Sequence, residues 1–383
     1  MYNCFDYSRC SLTSGFPVFL YDPDRYPVIA PGWEIEGFVK TTLKQTLGYN
    51  PHFTTDPSIA CIYLVLVGEA LAVPTVHNSP RNGTNVPVKT LQENLLYNLP
   101  YWGGDGRNHI LLNFARSSSV HDSRDTSTGG RDLFAGINVG RSMLVQSTFT
   151  RLRFRPQFDI VTPPILGPPG GDVWQDCPSM LPARRKYLLS FQGEFRYSTY
   201  LVTSREGTVK NLAETVDDVD LNDQKVEYIS ETKKKANIND NEEDVDKFIM
   251  EHLQGMAYGS TSDRFLFHFE CSLSVSQNTD GKFNTGKWLS SSNKGTDLWG
   301  EWALCGTETS RTNILRDSTF ALVMAPTNVS LLSTTVVQIR VYEAIRAGAI
   351  PVLLGGDRLE MAYGEVVDWY KAALFLPKVN FLL

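Results

Sequence analysis

The sequence predicts an α/β fold with parallel sheets, because short apolar runs alternate with segments of helical periodicity along its 383 residues. The runs are almost continuously apolar, as is typical of strands buried on both faces. Seven runs have this character: Phe16–Tyr21, Ile62–Val67, His109–Phe114, Phe158–Thr162, Tyr187–Phe191, Phe320–Met324 and Ile350–Leu354. We expect each run to contribute a strand.

Helical periodicity falls between the runs. Gly140–Ser147 places Met143, Leu144 and Ser147 on one side of a helix. Val337–Ala347 repeats apolar residues at helical spacing. A further helix is predicted within 242–254, where apolar residues again share one face.

The length favours two globular units. Prolines and glycines interrupt every pattern in residues 166–182, which we interpret as a linker between halves formed by residues 1–165 and 183–383. The second half carries two polar insertions. Residues 205–262 are rich in acids, and residues 272–300 are rich in Ser, Asn, Thr and Gly.

The negative charge is concentrated in one segment. The net charge of the chain is −6, but residues 214–251 alone hold thirteen acids and five lysines, so the remainder is close to neutral. No clustered basic patch stands out, which argues against a nucleic-acid partner. We expect residues 214–251 to be dispensable for folding, since their composition buries little apolar surface.

Cysteines and glycosylation sequons favour the secretory pathway. The chain has six cysteines, and sequons begin at Asn82 and Asn328. A reducing compartment with scattered structural thiols is the alternative. Neither a signal peptide at Met1 nor a membrane-spanning segment is predicted, so any anchor lies outside this chain.

Two disulfide bonds are predicted. Cys4 and Cys10 would close a short loop, and Cys271 and Cys305 would tie down the base of the 272–300 insertion. Cys61 lies inside an apolar stretch, where we expect a buried thiol that acts as a small hydrophobe.

Motifs for metal or phosphate chemistry are incomplete. A near match to a phosphate-binding loop in residues 281–288 has Trp288 where that motif needs Ser or Thr. Asp22-Pro23-Asp24 is interpreted as a turn at a strand end, and Asp218-Val219-Asp220 as solvated charge. The six histidines are scattered, so no metal site or cofactor is predicted.

Short phrases along the chain resemble the exostosin family of glycosyltransferases, in the order in which that family has them. They cover nearly the whole chain outside the insertions, which makes the resemblance specific. The phrases are Cys4–Cys10, Gly15–Tyr21, Asp56–Cys61, Gly106–His109, Arg155–Asp159, Arg185–Leu188, Glu301–Gly306, Ser318–Leu322, Arg340–Ala344, Gly348–Val352 and Val367–Trp369.

The resemblance implies a GT-B type module, in which two Rossmann-like halves face a cleft. Residues 1–165 would form the acceptor side, and residues 183–383 the nucleotide-sugar side. Such a module uses a UDP-sugar without a metal ion or cofactor, and transfers the sugar to a glycosaminoglycan or proteoglycan linkage acceptor. The resemblance also implies a type II membrane protein whose domain lies in the Golgi or endoplasmic reticulum lumen. A homodimer is compatible with it.

The resemblance also nominates donor-binding residues. Arg340 would meet the diphosphate with a bidentate fork, and Glu343, one turn later, would accept ribose hydroxyls. An ordinary helix-surface pair between them is the alternative. Gly193, which permits close backbone approach, and Arg196 form a second candidate group. No catalytic residue is assigned.

One departure from the family pattern raises an alternative function. Residues 326–333 carry no positive charge where active members have basic residues. The module would then be a catalytically silent scaffold, or an acceptor-binding domain, for a separate C-terminal N-acetylglucosaminyltransferase domain outside this chain.

Overall fold

Two compact units make up the described part of the chain. The computed structural model describes residues 5–10, 15–22, 26, 33–34, 37–67, 69–70, 96–113, 138–163, 185–199, 246, 248–253, 255, 264–269, 298–326 and 331–378. Each unit contains a five-stranded sheet whose strands are all parallel, which confirms the α/β fold class. No helix in these ranges is both long and apolar enough to cross a membrane.

The division between the units is discontinuous in sequence. The first unit comprises residues 1–116, 130–170 and 360–367, and the rest of the chain forms the second. Residues 360–367 therefore cluster with the first unit, although the sequence pattern assigned them to the second half. The linker at 166–182 lies outside the described residues.

In chain order, the elements of the first unit are β1 (Val18–Leu20), β2 (Trp33–Glu34), α1 (Gly37–Gly48), β3 (Ile62–Val67), β4 (Glu69–Ala70), β5 (His109–Asn113), β6 (Met143–Gln146), β7 (Phe149–Thr150) and β8 (Ile160–Val161). Five of these strands form a sheet with the order β1-β3-β5-β6-β8. The short strands β2 and β4 pair with each other in antiparallel fashion.

Both faces of this sheet are covered, which explains why its strands are apolar at nearly every position. Leu66, Leu112 and Val145 form one buried cluster, with Leu43 of α1 packed against it. Leu111, on the opposite face of β5 from Leu112, is also fully buried. Each such side chain contributes about 1.5–3 kcal/mol relative to an exposed position.

The prediction of a helix at Gly140–Ser147 is wrong, because residues 143–146 form strand β6. Leu144 and Val145 are both buried although they point to opposite faces of the sheet. A short apolar stretch such as Met143–Val145 fits a buried strand as well as one side of a helix, so periodicity alone could not separate them.

In chain order, the elements of the second unit are β9 (Tyr187–Gln192), β10 (Glu194–Thr199), β11 (Phe265–His268), β12 (Leu298–Ala303), α2 (Glu308–Arg316), β13 (Ser318–Met324), β14 (Leu331–Ser333), α3 (Thr335–Arg346), β15 (Ile350–Leu354) and β16 (Leu374–Leu376). The parallel sheet has the strand order β11-β9-β13-β15-β16, and β10 pairs with β12 in an antiparallel ladder. In the two units together, each of the seven apolar runs contains a parallel strand, as predicted.

Helix α3 confirms the helix predicted from residue 337. The hydroxyl of Thr334 caps it by accepting a hydrogen bond from the Val337 backbone N–H at 3.3 Å. Gly348, two residues past its end, has a positive φ of 73°, a conformation that glycine adopts without strain.

The end of the acidic segment belongs to the core of the second unit. Residues 248–253 are helical, as predicted, and Ile249 and Leu253 are buried among Phe191 and Trp302. Phe248, predicted on the buried face, is 44% exposed instead. The expectation that residues 214–251 are dispensable is therefore wrong for this end of the segment.

The disulfide prediction for Cys10 is also wrong, because Cys10 bonds to Cys61, with their Cα atoms 5.0 Å apart. Asn108 brings the two together: its Nδ2 donates to the carbonyls of Cys61 (2.8 Å) and Asp6 (3.2 Å). Cys61 is fully buried as expected, but not as a free thiol.

The second predicted disulfide, between Cys271 and Cys305, can be described only at Cys305. Cys305 is disulfide-bonded. Its predicted partner Cys271 lies outside the described residues, as does Cys4, so the pairing of Cys305 with Cys271 stays a prediction.

Candidate functional site

The candidate site lies where the parallel strands of the second unit end, which we call the carboxyl edge. Strand β9 ends at Gln192, β13 at Met324 and β15 at Leu354. In open α/β sheets, ligands bind outside this edge, where loops and helix N-termini present polar groups.

Arg340 reaches this edge from α3. Its Nη1 donates to the carbonyl of Gln192 (2.5 Å), and its Nη2 to those of Ala303 (2.9 Å) and Trp302 (3.2 Å). The guanidinium carbon lies 4.9 Å from the centre of the Phe191 ring, and the side chain is buried. Arg340 therefore holds the ends of β9 and β12 together, and its predicted contact with a diphosphate stays a prediction.

Gly193 fits closely beneath this guanidinium. A Cβ at this position would overlap Arg340 Nη2 and lie 2.9 Å from Phe191 Cζ and 3.1 Å from the Ala303 carbonyl oxygen. The absence of a side chain is therefore what lets Arg340 reach the strand ends. Arg196 lies opposite Glu301 in the β10–β12 ladder, and its side chain lies outside the described part of the structure.

Glu343 pairs with Arg311 of α2, a residue that the sequence analysis missed. Arg311 Nε donates to Glu343 Oε2 (2.8 Å) and Nη2 donates to Oε1 (2.6 Å), a bidentate pair with both side chains at most 8% exposed. Arg311 Nη1 also donates to the Gly306 carbonyl at 2.7 Å. The alternative that the sequence left open, an ordinary helix-surface pair between Glu343 and Arg340, is not what Glu343 forms, because its carboxylate is buried against Arg311.

A small cavity lies among Arg311, Arg340 and Glu343. Its volume is about 30 Å³, close to the share of one water molecule in the liquid. A nucleotide does not fit inside it. Ligands of this edge would have to lie outside the buried arginines, above the strand ends.

A second buried ion pair marks the same edge. Lys378, which follows β16, lies with its Nζ 2.6 Å from Asp246 Oδ1 and donates to the Ala325 carbonyl at 3.0 Å. Its side chain is 11% exposed and that of Asp246 is 2% exposed. Lys378 is therefore a basic residue at the carboxyl edge. The sequence analysis missed it because it considered only residues 326–333, whereas Lys378 follows a strand later in the chain.

Small polar groups cluster at the N-terminus of α3. Ser333, Thr334, Thr335 and Gln338 are all buried, and Gln338 Nε2 donates to Ser333 Oγ at 3.0 Å. A helix N-terminus carries partial positive charge and favours anions. Residues 327–330, including Asn328, lie outside the described ranges, as does Asn82.

Metal ligands do not gather in the described ranges. Within them, no three His, Cys, Asp or Glu side chains are grouped so that they could hold a metal ion.

The two parallel-sheet units and the polar carboxyl edge define an α/β protein of the class whose ligands bind at strand ends. Residues 12–259 and 270–382 match the family described as the Exostosin GT47 domain. The chain belongs to this family of glycosyltransferase domains.

Curated relatives carry the exostosin name. The chain is 27% identical to Exostosin-1c of Danio rerio over 227 residues, which is 58% of this chain and 27% of the relative. It is 26% identical to Exostosin-1 of Bos taurus and of Mus musculus over 208 residues, 52% of this chain and 23% of each relative. The aligned region thus spans about a quarter of the length of these proteins.

Proposed function

We propose that this chain is the glycosyltransferase module of a protein that builds heparan sulfate or a related glycosaminoglycan. A UDP-sugar is the donor and the growing glycan is the acceptor. The observation that carries the proposal is the Exostosin GT47 match, which extends over both units. The protein would work in the Golgi or endoplasmic reticulum lumen, which suits the Cys10–Cys61 disulfide.

The donor diphosphate would lie above the carboxyl edge of the second unit. The N-terminus of α3 offers backbone N–H groups there. Lys378 lies at the same edge, but its charge is already balanced by Asp246, so the backbone N–H groups would carry most of the contact with the diphosphate. Arg340 would act in one of two ways. It contacts the diphosphate directly, or it positions the ends of β9 and β12 through the carbonyls it holds.

A non-catalytic scaffold is the second candidate, and one observation favours it. Arg340 and Glu343 are both engaged inside the fold, and the cavity beside them holds about 30 Å³. On this alternative the module binds no nucleotide and orients a separate C-terminal transferase domain. The phrases at Cys4–Tyr21 and Glu301–Gly306 resemble exostosin-like 3, and that finer assignment stays a prediction.

Calorimetric titration of the chain with UDP tests the proposal. We expect binding in the wild type, with and without EDTA. Arg340→Ala should weaken binding by about 1.5–3 kcal/mol if the guanidinium meets the diphosphate. Arg340→Lys should recover part of this loss, since a point charge cannot form the fork.

The matched control is Arg346→Ala, which removes an exposed arginine from the same helix. It should leave UDP affinity unchanged. Absence of UDP binding by the folded wild type would overturn the donor-site proposal and leave the scaffold.

A further inference from the structure

A pocket of about 220 Å³ lies in the first unit, at the start of β5. Tyr101, Trp102, Gly103, Asp105, Arg107 and Asn108 line it, together with Asp6. These residues precede His109, the first residue of β5, so the pocket lies at the amino edge of this sheet. A five-residue strand, about 16 Å long, separates it from the carboxyl edge of the same unit.

The walls of the pocket are held in place. Asn108 donates from Nδ2 to the Asp6 carbonyl and accepts from the Asp6 backbone N–H at 2.6 Å. The Cys10–Cys61 disulfide ties the same N-terminal segment to the start of β3. The Tyr101 ring stacks on Tyr63 with centroids 5.4 Å apart. A site whose walls are fixed in advance loses little entropy on binding.

Hydrogen-bonding capacity remains at the pocket walls. Arg107 uses Nε to donate to Asp105 Oδ2 at 2.7 Å, and its Nη groups make no further hydrogen bond with the described residues. Trp102 is 1% exposed and its Nε1 atom is itself buried, so this residue supports the wall of the pocket and is not a donor to a ligand. The pocket thus combines spare N–H donors with the carboxylates of Asp6 and Asp105 and an aromatic ring.

This combination selects against charged ligands. Asp6 and Asp105 line the pocket with Arg107, and Arg141 Nε lies 3.7 Å from Asp105 Oδ2, so the charges around the pocket balance and leave no excess positive charge for phosphate, sulfate or uronate groups. The arginine beside the carboxylates also makes the pocket a poor cation site. An uncharged polyol both donates and accepts hydrogen bonds, so it satisfies both kinds of group at once.

The size of the pocket limits the ligand to one ring. A volume of 220 Å³ holds about seven water molecules at about 30 Å³ each, below the range of about 300–1,000 Å³ that drug-sized ligands occupy. We propose that this pocket binds one uncharged sugar ring, as an accessory glycan subsite at the amino edge of the first unit. The inference goes beyond the proposed donor site and uses none of its residues.

Saturation-transfer NMR and titration with galactose, xylose and N-acetylglucosamine test this inference on the whole chain. At least one of these sugars should bind the wild type. Glucuronate should bind more weakly because it is charged. Arg107→Ala and the isosteric Asp105→Asn should each weaken sugar binding about tenfold.

The control is Lys44→Ala, which breaks the Lys44–Asp22 pair (3.2 Å) elsewhere in the same unit. Sugar affinity should not change in this variant. UDP affinity should be the same in Lys44→Ala, Arg107→Ala, Asp105→Asn and the wild type. The proposal is overturned if none of the three sugars binds. It is equally overturned if the folded Asp105→Asn variant binds these sugars as well as the wild type does. It is also overturned if the wild type binds glucuronate more tightly than the uncharged sugars. Loss of UDP binding with sugar binding intact would count against the donor site alone.

Discussion

Arg311 and Glu343 form a buried bidentate ion pair that joins α2 to α3, with nitrogen–oxygen distances of 2.8 and 2.6 Å. The pair fixes the Glu343 carboxylate on the guanidinium of Arg311 in α2, although α3 carries an arginine of its own one turn earlier, at position 340. Each side chain is at most 8% exposed, so neither charge is compensated by water. Removing one partner therefore leaves the other buried and uncompensated.

The first prediction concerns this pair. Arg311→Met and Glu343→Leu should each lower the free energy of unfolding by about 3–5 kcal/mol, and the double variant by less than the sum. Urea denaturation measures all three. Arg346→Ala is the control, because Arg346 pairs with Glu308 between the same two helices but is 41% exposed. The control should lower the free energy of unfolding by less than about 1 kcal/mol. If Arg311→Met lowers it no more than Arg346→Ala does, the Arg311–Glu343 pair does not stabilise the fold as a buried ion pair.

The second prediction concerns residues 248–253. Ile249 and Leu253 are 0% and 2% exposed in the core of the second unit. Replacing either with Ala should cost about 2–5 kcal/mol, because it removes apolar contacts and leaves a cavity. Phe248→Ala, on the exposed side of the same helix, should cost much less. Similar costs for all three in a denaturation series would show that the helix does not pack as described.

The strands of the core could be predicted from the sequence because a strand that is buried on both faces needs apolar residues at successive positions. Ile62–Val67 and Phe320–Met324 are such runs, and both are strands. The short strand Met143–Gln146 could not be separated from a helix, since four residues span about one helical turn and a short apolar run fits either structure. The resemblance to the exostosin family predicted the two Rossmann-like halves and nominated Arg340 and Glu343 as site residues.

The partners of the site residues could not be predicted, because they are set by packing between distant segments. Arg311 lies 32 residues before Glu343, and Lys378 is paired with Asp246 from the acidic segment. In the sequence, Arg311 is one arginine on a helix, and only the requirement to pair a buried charge gives it a role. Cys10 pairs with Cys61 for the same kind of reason, since the two are far apart in sequence and lie together beside Asn108, which donates a hydrogen bond to the Cys61 carbonyl.

The third prediction concerns that disulfide. The Cys10–Cys61 bond spans 51 residues, so replacing Cys61 with Ser should lower the free energy of unfolding by about 2–4 kcal/mol through the freedom it restores to the unfolded chain. Cys4→Ser should leave the bond intact. Non-reducing peptide mapping should recover the Cys10 and Cys61 fragments joined. A Cys4–Cys10 fragment instead would restore the prediction made from sequence spacing.

The fourth prediction concerns the pH dependence of stability. Burial, and secondarily the neighbouring Glu365 carboxylate, raises the pKa of Glu360 above its ordinary value of 4.5. A raised carboxyl pKa means that the folded state favours the protonated form. The stability this group gives is complete below pH 4.5 and is lost as the pH rises through the folded pKa.

Glu360→Gln keeps the shape of the protonated form and removes its ionisation. The variant and the wild type should therefore be equally stable at pH 4, whereas at pH 7 the variant should be more stable. The gain should stay below about 1 kcal/mol, because solvent screens a group that is only partly buried. Urea denaturation at both pH values measures the difference. Glu251→Gln, at an exposed glutamate, is the control for the effect of a Glu-to-Gln change by itself. If Glu360→Gln gains as much at pH 4 as at pH 7, ionisation of Glu360 is not the cause.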